Sequence, residues 1–532
     1  MQEKEFNLVY EPWILVLNLN GEQEEVSLLK ALERAHEFKC LAGELPTQDV
    51  AVLRLLLAAL YATFTRVDAQ GKRKSIGSYE EALARWESLW QLGRFPTEPI
   101  KERLCRYEER FYLFHPERPF YQVAGLDRGT SYTAAKLFGN LSESSNKVRL
   151  FPVRTGQSKY AMSFSEAARW LLYVNAFDDT SSKPSKRGGE KMPSPGAGWL
   201  GKIGLVFANG TNLFETLMLN FVLVNFEERG KPWGDGKAVW ELNEPRTEER
   251  VEIVLPLEPL SLLTLQSRRI LLQREENSVI GYLLLGGDFF HRENAFTEQM
   301  TIWRKDEKNN VYLPKRHDPS KQLWRDFSSF ISYGEGQKTP GVVRWLAALK
   351  EKGHINSIIT LRVASVKYGD KDFFVTDVFQ DSLTVNSGIL SKMGQEWVIR
   401  INNVLSLTDE CVKKIYFLTS EIARASGDSD SQKGKAGEGA TSAAKAEAYF
   451  RLDMPFRSWL AGIDPLITDV EEAEVEWKDT LKRILLQLGE ELVHQSGEKG
   501  IVGRIVGDKL YTAPGALVKY RSSIISAIEK GG

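Results

Sequence analysis

The sequence of 532 residues has little cysteine, little histidine and no long hydrophobic run, and each shortage excludes a class of protein. Its three cysteines, Cys40, Cys105 and Cys411, are far apart and form no CxxC pair, which argues against a zinc ribbon or a disulfide scaffold. No run of about 18 uncharged apolar residues occurs, so no membrane span is expected. The first residues contain no signal-peptide hydrophobic region, and we therefore expect a cytoplasmic protein.

Familiar catalytic motifs are also missing. The six histidines show no HxxxH or HxH spacing, and none stands beside a carboxylate in a metal-binding motif. There is neither a GxxxxGK[ST] phosphate cradle nor a GxSxG nucleophile elbow. These absences predict a protein without catalytic residues, metal or cofactor. A site assembled across the fold leaves no local trace, so a metal-dependent nuclease with dispersed ligands stays an alternative, as does a purely architectural helical scaffold.

The charge is balanced, with 70 Lys and Arg against 71 Asp and Glu, so any polyanion site must be a local patch. The clearest patch is residues 180–202, TSSKPSKRGGEKMPSPGAGWLGK, where Glu190 is the only acid. Proline removes backbone donors and glycine costs backbone entropy, so this segment cannot hold a helix or an inner strand. Bare amides beside positive charge suit a polyanion, and a solvated surface loop is the plain alternative.

The N-terminal part of the chain mixes helix and strand signals. Residues 47–64 are apolar on most faces, as in a buried helix, and Ser163 with Glu166 forms a capping-box pattern before EAARWLLYV. Two β-rich arms, ITLRVASV and DFFVTDVF, flank the turn candidate Tyr368-Gly369-Asp370-Lys371 and predict a hairpin.

After residue 383 the pattern becomes helical. Thr468 and Glu471 form a capping-box pattern before an amphipathic stripe that begins at Trp477 and Leu481, and residues 426–442 have the composition of a flexible linker. We therefore predict an α+β protein. A large mixed α/β domain covers residues 1–383, and a C-terminal four-helix bundle covers residues 384–532.

Several stretches, in register, resemble CasA, the large subunit of the type I-E CRISPR surveillance complex Cascade. They are FNLVYEPWILV, SLLKALERAHEFKCLAGELPTQDVAVLRLLL, FYLFHPERPFYQV, GWLGKIGLVFANGTNLFETLMLN, LSLLTLQSRRI and MTIWRKD, and the likeness extends through the helical C-terminus. The resemblance implies a non-catalytic subunit whose partners are guide RNA, the other Cascade subunits, double-stranded target DNA and a helicase–nuclease. Such a subunit reads the protospacer-adjacent motif (PAM), promotes duplex opening and R-loop formation, and recruits the nuclease.

The resemblance also implies a two-part DNA reader. A glycine-rich loop of the family contacts the PAM minor groove, which is about 6 Å wide and admits a backbone without side chains. It matches Gly188 and Gly189, while the neighbouring cations would hold phosphates; these are Lys183, Lys186, Arg187 and Lys191. A wedge hairpin that displaces the first base pair matches Tyr368, Gly369, Asp370, Lys371 and Asp372. Many relatives carry glutamine or asparagine at the tip, where this sequence has Lys371 and Asp372.

Two further regions follow from the same resemblance. The lysine finger of the family falls near Gly287, where this sequence has no lysine, and His291 and Arg292 are the candidate substitutes. The segment with Asn146, Lys147, Arg149 and Phe151 resembles a loop that inserts into the neighbouring subunit, which holds the 5′ handle of the guide RNA.

Overall fold

The computed structural model describes residues 4–143, 148–180, 196–332, 336–355, 358–427 and 438–530. The chain divides into two compact units. The first comprises Met1–Pro319, Gly334–Ile355 and Ile359–Ser382; the second comprises Ser320–Tyr333, Asn356–Ile358 and Leu383–Gly532. The second unit therefore contains a short stretch from the middle of the chain in addition to the C-terminal region.

The described helices alternate with strands up to residue 386 and dominate the chain beyond it. In chain order they are α1 (Leu28–Glu33), α2 (Pro46–Phe64), α3 (Tyr79–Trp90), α4 (Thr97–Cys105), α5 (Ala134–Leu137), α6 (Phe164–Phe177), α7 (Leu213–Leu219), α8 (Pro259–Leu263), α9 (Phe327–Phe330), α10 (Gly341–Glu351), α11 (Gln395–Lys413), α12 (Ile415–Ser426), α13 (Glu438–Gly462), α14 (Val470–Gln495), α15 (Gly497–Val502) and α16 (Ala513–Lys530).

The strands are short and form several small sheets. They are β1 (Glu5–Asn7), β2 (Ile14–Asn18), β3 (Gln23–Val26), β4 (Phe38–Leu41), β5 (Tyr112–Phe114), β6 (Thr130–Thr133), β7 (Gly204–Leu205), β8 (Phe207–Asn209), β9 (Val224–Asn225), β10 (Lys231–Pro232), β11 (Arg268–Glu275), β12 (Ser278–Gly286), β13 (Thr301–Asp306), β14 (Val311–Pro314), β15 (Ile358–Tyr368), β16 (Val375–Asn386), β17 (Arg504–Val506) and β18 (Lys509–Tyr511). The three-stranded sheets have the orders β3-β2-β4, β11-β12-β6, β14-β13-β7 and β16-β15-β8. The paired strands β1-β5, β10-β9 and β17-β18 complete the set.

Helix α2 lies in the core of the first unit. By length and composition it is the one helix among the described residues that could cross a membrane, but 94% of its apolar window is buried inside the protein. Its Arg54 is buried and donates to both carboxylate oxygens of Glu298 at 2.9 Å, so the charge is neutralised where it is withdrawn from water. Burial of this kind identifies α2 as a core helix.

The predicted start of α6 is confirmed in detail. The Ser163 hydroxyl accepts a hydrogen bond from the Glu166 amide at 3.2 Å, and the Glu166 carboxylate accepts one from the Ser163 amide at 3.0 Å. This reciprocal box satisfies two amides that the first turn of a helix leaves open. Helix α6 ends at Phe177, immediately before the basic glycine-rich segment.

The second unit is mainly helical. Helix α14 buries five residues of its predicted stripe and leaves the sixth, Leu492, half-buried; the buried five are Trp477, Leu481, Ile484, Leu485 and Leu488. The indole of Trp477 also donates to the hydroxyl of Thr408 on α11 at 3.0 Å, which ties the two helices together. A mixed α and β protein with a helical C-terminal region is therefore confirmed, while the arrangement of these helices as a four-helix bundle stays a prediction.

Two predicted boundaries in this unit are wrong. Residues 438–442 of the predicted linker are the first turn of α13, where Thr441 is buried and its hydroxyl lies 2.6 Å from that of Thr419. The alanine-rich sequence that follows favours helix, and the helix therefore begins several residues earlier, within the polar stretch. Helix α14 is capped by Asp469, which accepts from the amides of Glu471 and Glu472 at 3.0 and 2.9 Å. The Thr468 hydroxyl instead accepts from the Asp464 amide at 2.9 Å.

Candidate nucleic-acid interface

The hairpin predicted at Tyr368–Lys371 is confirmed, and its turn is strained. Strands β15 and β16 are joined by a tight turn in which the Gly369 amide donates to the Phe374 carbonyl at 2.8 Å. Lys371 and Asp372 both have left-handed backbone, with φ of 54° and 58°. Residues other than glycine seldom adopt this conformation, and they keep it only where the surroundings hold them there.

Arg316, which follows β14, supplies that support. Its guanidinium donates to the two carboxylate oxygens of Asp372 at 2.7 and 2.8 Å. Its planar group also lies 5.2 Å from the centre of the Tyr368 ring. A forked pair of this type fixes geometry as well as charge. Asp372 is therefore engaged in holding the turn, whereas Asp370 and Lys371 are exposed at its tip.

Tyr368 anchors the base of the hairpin. Its hydroxyl donates to the carbonyl of Phe177, the last residue of α6, at 2.7 Å. Burial raises the pKa of Tyr368 well above its usual value, so the group stays a neutral donor. Gly201 lies so close that a Cβ atom there would be 2.0 Å from the Tyr368 oxygen. The contact requires glycine at position 201, because any side chain would occupy the place of the phenol.

The hairpin also exposes two aromatic side chains that sequence reasoning missed. Phe373 has 46% of its surface exposed and Phe374 has 37%. The phenyl ring of Phe374 packs over Gly369, where an added Cβ would lie 2.8 Å from the ring. Apolar bulk held on a strained turn is the kind of group that can separate stacked bases. The pattern DFFVTDVF contains the signal, but there the aromatics indicate only a strand.

The predicted PAM loop lies mostly outside the described residues. This applies to Lys183, Lys186, Arg187, Gly188, Gly189 and Lys191, which belong to residues 181–195. Both flanks of that segment are described. At the N-terminal flank, the Thr180 amide donates to the Asp372 carbonyl at 2.9 Å, and the Thr180 hydroxyl lies 3.1 Å from the carbonyls of Lys371 and Asp372. The basic segment therefore begins on the tip of the hairpin.

Arg268 on β11 holds the two flanks together. It is buried, and its guanidinium donates to the Asp178 carboxylate at 2.5 Å, the Asp179 carbonyl at 3.0 Å and the Gly196 carbonyl at 2.7 Å. The Gly198 amide in turn donates to the Asp178 carbonyl at 2.9 Å. One arginine thus sets the separation of the chain ends on either side of residues 181–195.

The region matched to the lysine finger has two parts. Gly287 is packed inside the protein: its amide donates to the Ser267 carbonyl at 2.8 Å, and a Cβ atom would lie 2.2 Å from the Gln266 carbonyl. His291 is 77% exposed at its side chain, with its Nε2 atom 3.3 Å from Glu252, and Arg292 is also exposed. Only His291 and Arg292 can therefore reach a ligand without moving the backbone.

Lys202, the last cation of residues 180–202, lies in the described part of the chain. With Arg250, Arg268, Asp288 and Phe289 it lines a small cleft. Burial, followed by the charges of Arg268 and Arg292, lowers the pKa of the Lys202 amine to about 8. No carboxylate in the described part of the chain forms an ion pair with it. Lys202 therefore carries a charge that an incoming anion would stabilise.

The segment matched to the guide-RNA contact is described from Val148 onward, so Asn146 and Lys147 lie outside the described residues. Arg149 turns inward: its guanidinium donates to the Leu141 carbonyl at 2.6 Å and its amide donates to Glu143 at 2.9 Å. Leu150 and Phe151 are each 91% exposed. The segment thus presents apolar side chains, and Arg149 fixes the loop that carries them.

The described residues contain no group of three or more His, Cys, Asp and Glu side chains that could hold a metal ion. The carboxylates of the region are instead paired with cations. Asp288 joins Arg269 and Arg246, and Asp179 joins the Lys136 amine at 2.8 Å. What the described geometry offers is an exposed aromatic hairpin tip next to positive charge.

Comparison with known proteins identifies the family. The family model for CRISPR-associated protein Cse1 matches residues 7–488. The chain belongs to the Cse1 (CasA) family. The CasA/Cse1 protein of Thermus thermophilus is 29% identical over 427 residues, which cover 79% of this chain and 78% of that protein. The predicted resemblance is therefore confirmed.

The solved structures agree with this assignment. Cse1 of Thermobifida fusca superimposes with a TM-score of 0.81 at 27% identity, covering 99% of each chain. A chain of a CRISPR RNA-guided surveillance complex superimposes with a TM-score of 0.71 over 98% of this chain and 100% of that one. The identity to this second chain is 18%, so it adds evidence for the fold alone.

Proposed function

We propose that this protein is the large, non-catalytic subunit of a CRISPR RNA-guided surveillance complex of the Cascade type. In that role it recognises the PAM of double-stranded DNA, promotes duplex opening and R-loop formation, and recruits the helicase–nuclease. The observation that carries the proposal is the junction of Thr180 with the hairpin tip, at 2.9 Å from the Asp372 carbonyl. It joins the start of the glycine-rich loop to the candidate wedge, so that a duplex bound by one would meet the other.

The division of work between the two parts follows from their chemistry. Glycine amides at Gly188 and Gly189 can approach base edges in a narrow groove, while the flanking cations hold phosphates. Lys202 and Arg292 add positive charge near the loop anchor, since the charge of Arg292 is among the causes that lower the pKa of Lys202 to about 8. Asp370, Lys371, Phe373 and Phe374 then supply the exposed bulk that separates the first base pair.

Contact with the rest of the complex would use the other exposed loop. Apolar side chains such as Leu150 and Phe151, each 91% exposed, fit insertion into a neighbouring protein subunit better than direct contact with RNA phosphates. We propose that this loop docks beside the 5′ handle of the guide RNA and that Arg149 keeps it in shape. The alternatives of a nuclease and of a purely architectural scaffold make different predictions for the experiment below.

A randomised-PAM duplex library, offered to the reconstituted complex with and without this chain, tests the function. We expect enrichment of particular PAM sequences only when the chain is present, and loss of that enrichment with Gly188→Asp. Lys308→Ala, an exposed cation away from the loop and hairpin in the sequence, is the matched control and should leave enrichment unchanged. Equal enrichment without the chain would reject PAM recognition, and Mg²⁺-dependent cleavage by the purified chain would favour the nuclease.

A further inference from the structure

A second basic cleft opens at the far end of the core helix α2. It has a volume of about 840 Å³ and is formed by the end of α2, the loop that follows it and helix α4. Two acids, Glu102 and Asp235, line it. The cations that line it are Arg66, Arg73, Lys74, Arg103 and Arg106. The cleft therefore carries an excess of positive charge in a protein whose overall charge is balanced.

The loop that carries Arg73 and Lys74 is held in place by a buried side chain of α3. Arg85 on α3 is buried, and its guanidinium donates to the carbonyls of Phe64 at 2.6 Å, Val67 at 2.5 Å and Lys74 at 2.9 Å. The Lys74 amide also donates to the Arg66 carbonyl at 2.9 Å. Because this buried arginine binds three backbone carbonyls, it fixes the backbone that carries the exposed Arg73 and Lys74.

The five cations fall into two groups. Arg66 and Arg103 are paired with acids: both contact the buried carboxylate of Glu241, at 3.1 Å from Arg66 Nη2 to Oε2 and 2.9 Å from Arg103 Nε to Oε1, and Arg66 Nε also lies 4.0 Å from Asp235 Oδ1. Arg73, Lys74 and Arg106 are exposed and form no ion pair in the described part of the chain. Three unneutralised cations on a fixed frame are therefore available to a ligand.

The cleft is distinct from the hairpin and loop anchor. Glu298 links Arg54 in the middle of α2 to the indole of Trp199, which donates to it at 2.7 Å close to the loop anchor. Helix α2 ends at Phe64, a rise of about 15 Å along the helix axis from Arg54, and Arg66 lies just beyond that end. That distance corresponds to about four base-pair steps of duplex DNA at about 3.4 Å per step.

We propose that this cleft binds backbone phosphates of double-stranded DNA beyond the PAM. The inference rests on the proposed function, since it takes the ligand to be the same target duplex. Arginine forks match phosphate oxygens, and three unneutralised cations suit successive phosphates of one strand. The described lining contains no aromatic side chain on which unpaired bases could stack, which favours a duplex over a single strand. The contacts are to the backbone, so they add affinity and no sequence preference.

The test is the salt dependence of duplex binding by the assembled complex. The variant Arg73→Ala/Lys74→Ala/Arg106→Ala removes the three unneutralised cations, and Lys39→Ala/Lys308→Ala/Lys352→Ala removes the same charge from exposed positions outside the cleft. The probe is a labelled duplex of fixed sequence with a PAM and a long flank on the PAM side. Each phosphate contact contributes about 0.9 to the slope of log K against log salt. We expect the cleft variant to lower the slope by up to about 2.7, and the control variant to leave it unchanged.

Each outcome has a separate meaning. The charge-conserving variant Arg73→Lys/Lys74→Arg should keep the slope, and randomised-PAM enrichment should persist in every cleft variant. An unchanged slope in the alanine variant would overturn the cleft proposal while leaving PAM recognition intact. An unchanged slope together with weaker binding of polyglutamate would assign the cleft to an acidic protein segment instead and would equally overturn the proposal. If the complex with the wild-type chain showed no PAM enrichment at all, that result would reject the proposed function and not the proposal for the cleft.

Discussion

The guanidinium of Arg316 donates two hydrogen bonds, of 2.7 and 2.8 Å, to the carboxylate of Asp372 and so stabilises the strained turn of the hairpin. The carbonyl of Asp372 in turn accepts a hydrogen bond from the Thr180 amide. Asp372 keeps a left-handed backbone with φ of 58°, which few residues other than glycine tolerate without support. The pair therefore links the hairpin tip to the flank of the glycine-rich loop. Four predictions test this arrangement.

The first concerns the pair itself. Arg316→Met and Asp372→Asn should each weaken target binding by the complex, because the tip loses its fixed shape. Since both side chains are about one-third exposed, we expect a coupling energy of only about 0.5–1 kcal/mol in the free energy of unfolding. A double-mutant cycle in denaturant measures it. Strictly additive effects would mean that the fork does not support the turn.

The second concerns the close approach of Gly201 to Tyr368. Gly201→Ala would place a methyl group where the phenol oxygen stands, because that oxygen is 2.0 Å from an ideal Cβ position. We expect a loss of about 1–3 kcal/mol in the free energy of unfolding. Adding Tyr368→Phe removes the oxygen and should recover part of that loss. The single Tyr368→Phe variant is the control, and absence of recovery in the double variant would show that the clash lies elsewhere.

The third concerns pH and Lys202, whose pKa is lowered to about 8 by burial and neighbouring arginines. In the unfolded chain the amine keeps its usual pKa of about 10.4, so between the two values the unfolded state binds more protons. The contribution of Lys202 to stability therefore rises as pH increases from about 8 toward about 10.4. Anion binding has the opposite trend, since the neutral amine no longer attracts phosphate.

Target binding by the complex should accordingly weaken as pH rises through about 8. Lys202→Arg stays charged over this range and should remove that step, whereas Lys202→Met should weaken binding about tenfold at about pH 7, the effect of one lost charge-assisted hydrogen bond. Fluorescence anisotropy at a series of pH values measures both. A pH step that persists in Lys202→Arg would assign it to another group.

The fourth concerns Arg268, which joins the two flanks of residues 181–195. Arg268→Lys keeps the charge but cannot reach the Asp178 carboxylate and two carbonyls at once. Leaving a buried carboxylate poorly paired costs about 3 kcal/mol or more in the free energy of unfolding. We expect that loss in chemical denaturation, with reduced target binding even where the protein remains folded. Arg424→Lys, a change to an arginine of the helical unit, is the control, and an equal loss there would remove the special role of Arg268.

Local signals in the sequence predicted much of this structure. The Ser163 and Glu166 box, the stripe from Trp477 to Leu488 and the hairpin turn all depend on residues close together in the chain, and all three are present. The predicted cap of α14 was wrong because the residue next to it in the chain makes the capping hydrogen bonds instead. Asp469 is a stronger cap than Thr468, because its charge also favours the positive end of the helix.

The parts of the site that depend on distant partners could not be predicted in this way. Arg268 is 90 residues from Asp178, and Arg316 is 56 residues from Asp372. Nothing near either arginine in the chain shows that it would meet a carboxylate. The sequence places Lys202 in the basic segment, but its lowered pKa could not be predicted, because it arises from burial and from arginines distant in the chain. The resemblance to CasA suggests the role proposed for the hairpin, and the structure shows the residues that support its turn.

The most direct test of duplex opening by the hairpin uses 2-aminopurine, whose fluorescence rises when it leaves the base stack. The probe replaces the base next to the PAM in a target duplex, and the assembled complex is added with the wild-type chain or with Phe373→Ala/Phe374→Ala. We predict a rise with the wild-type chain and little or none with the variant, although PAM-dependent binding of the duplex is retained. An equal rise with both chains would contradict the claim that this hairpin separates the first base pair.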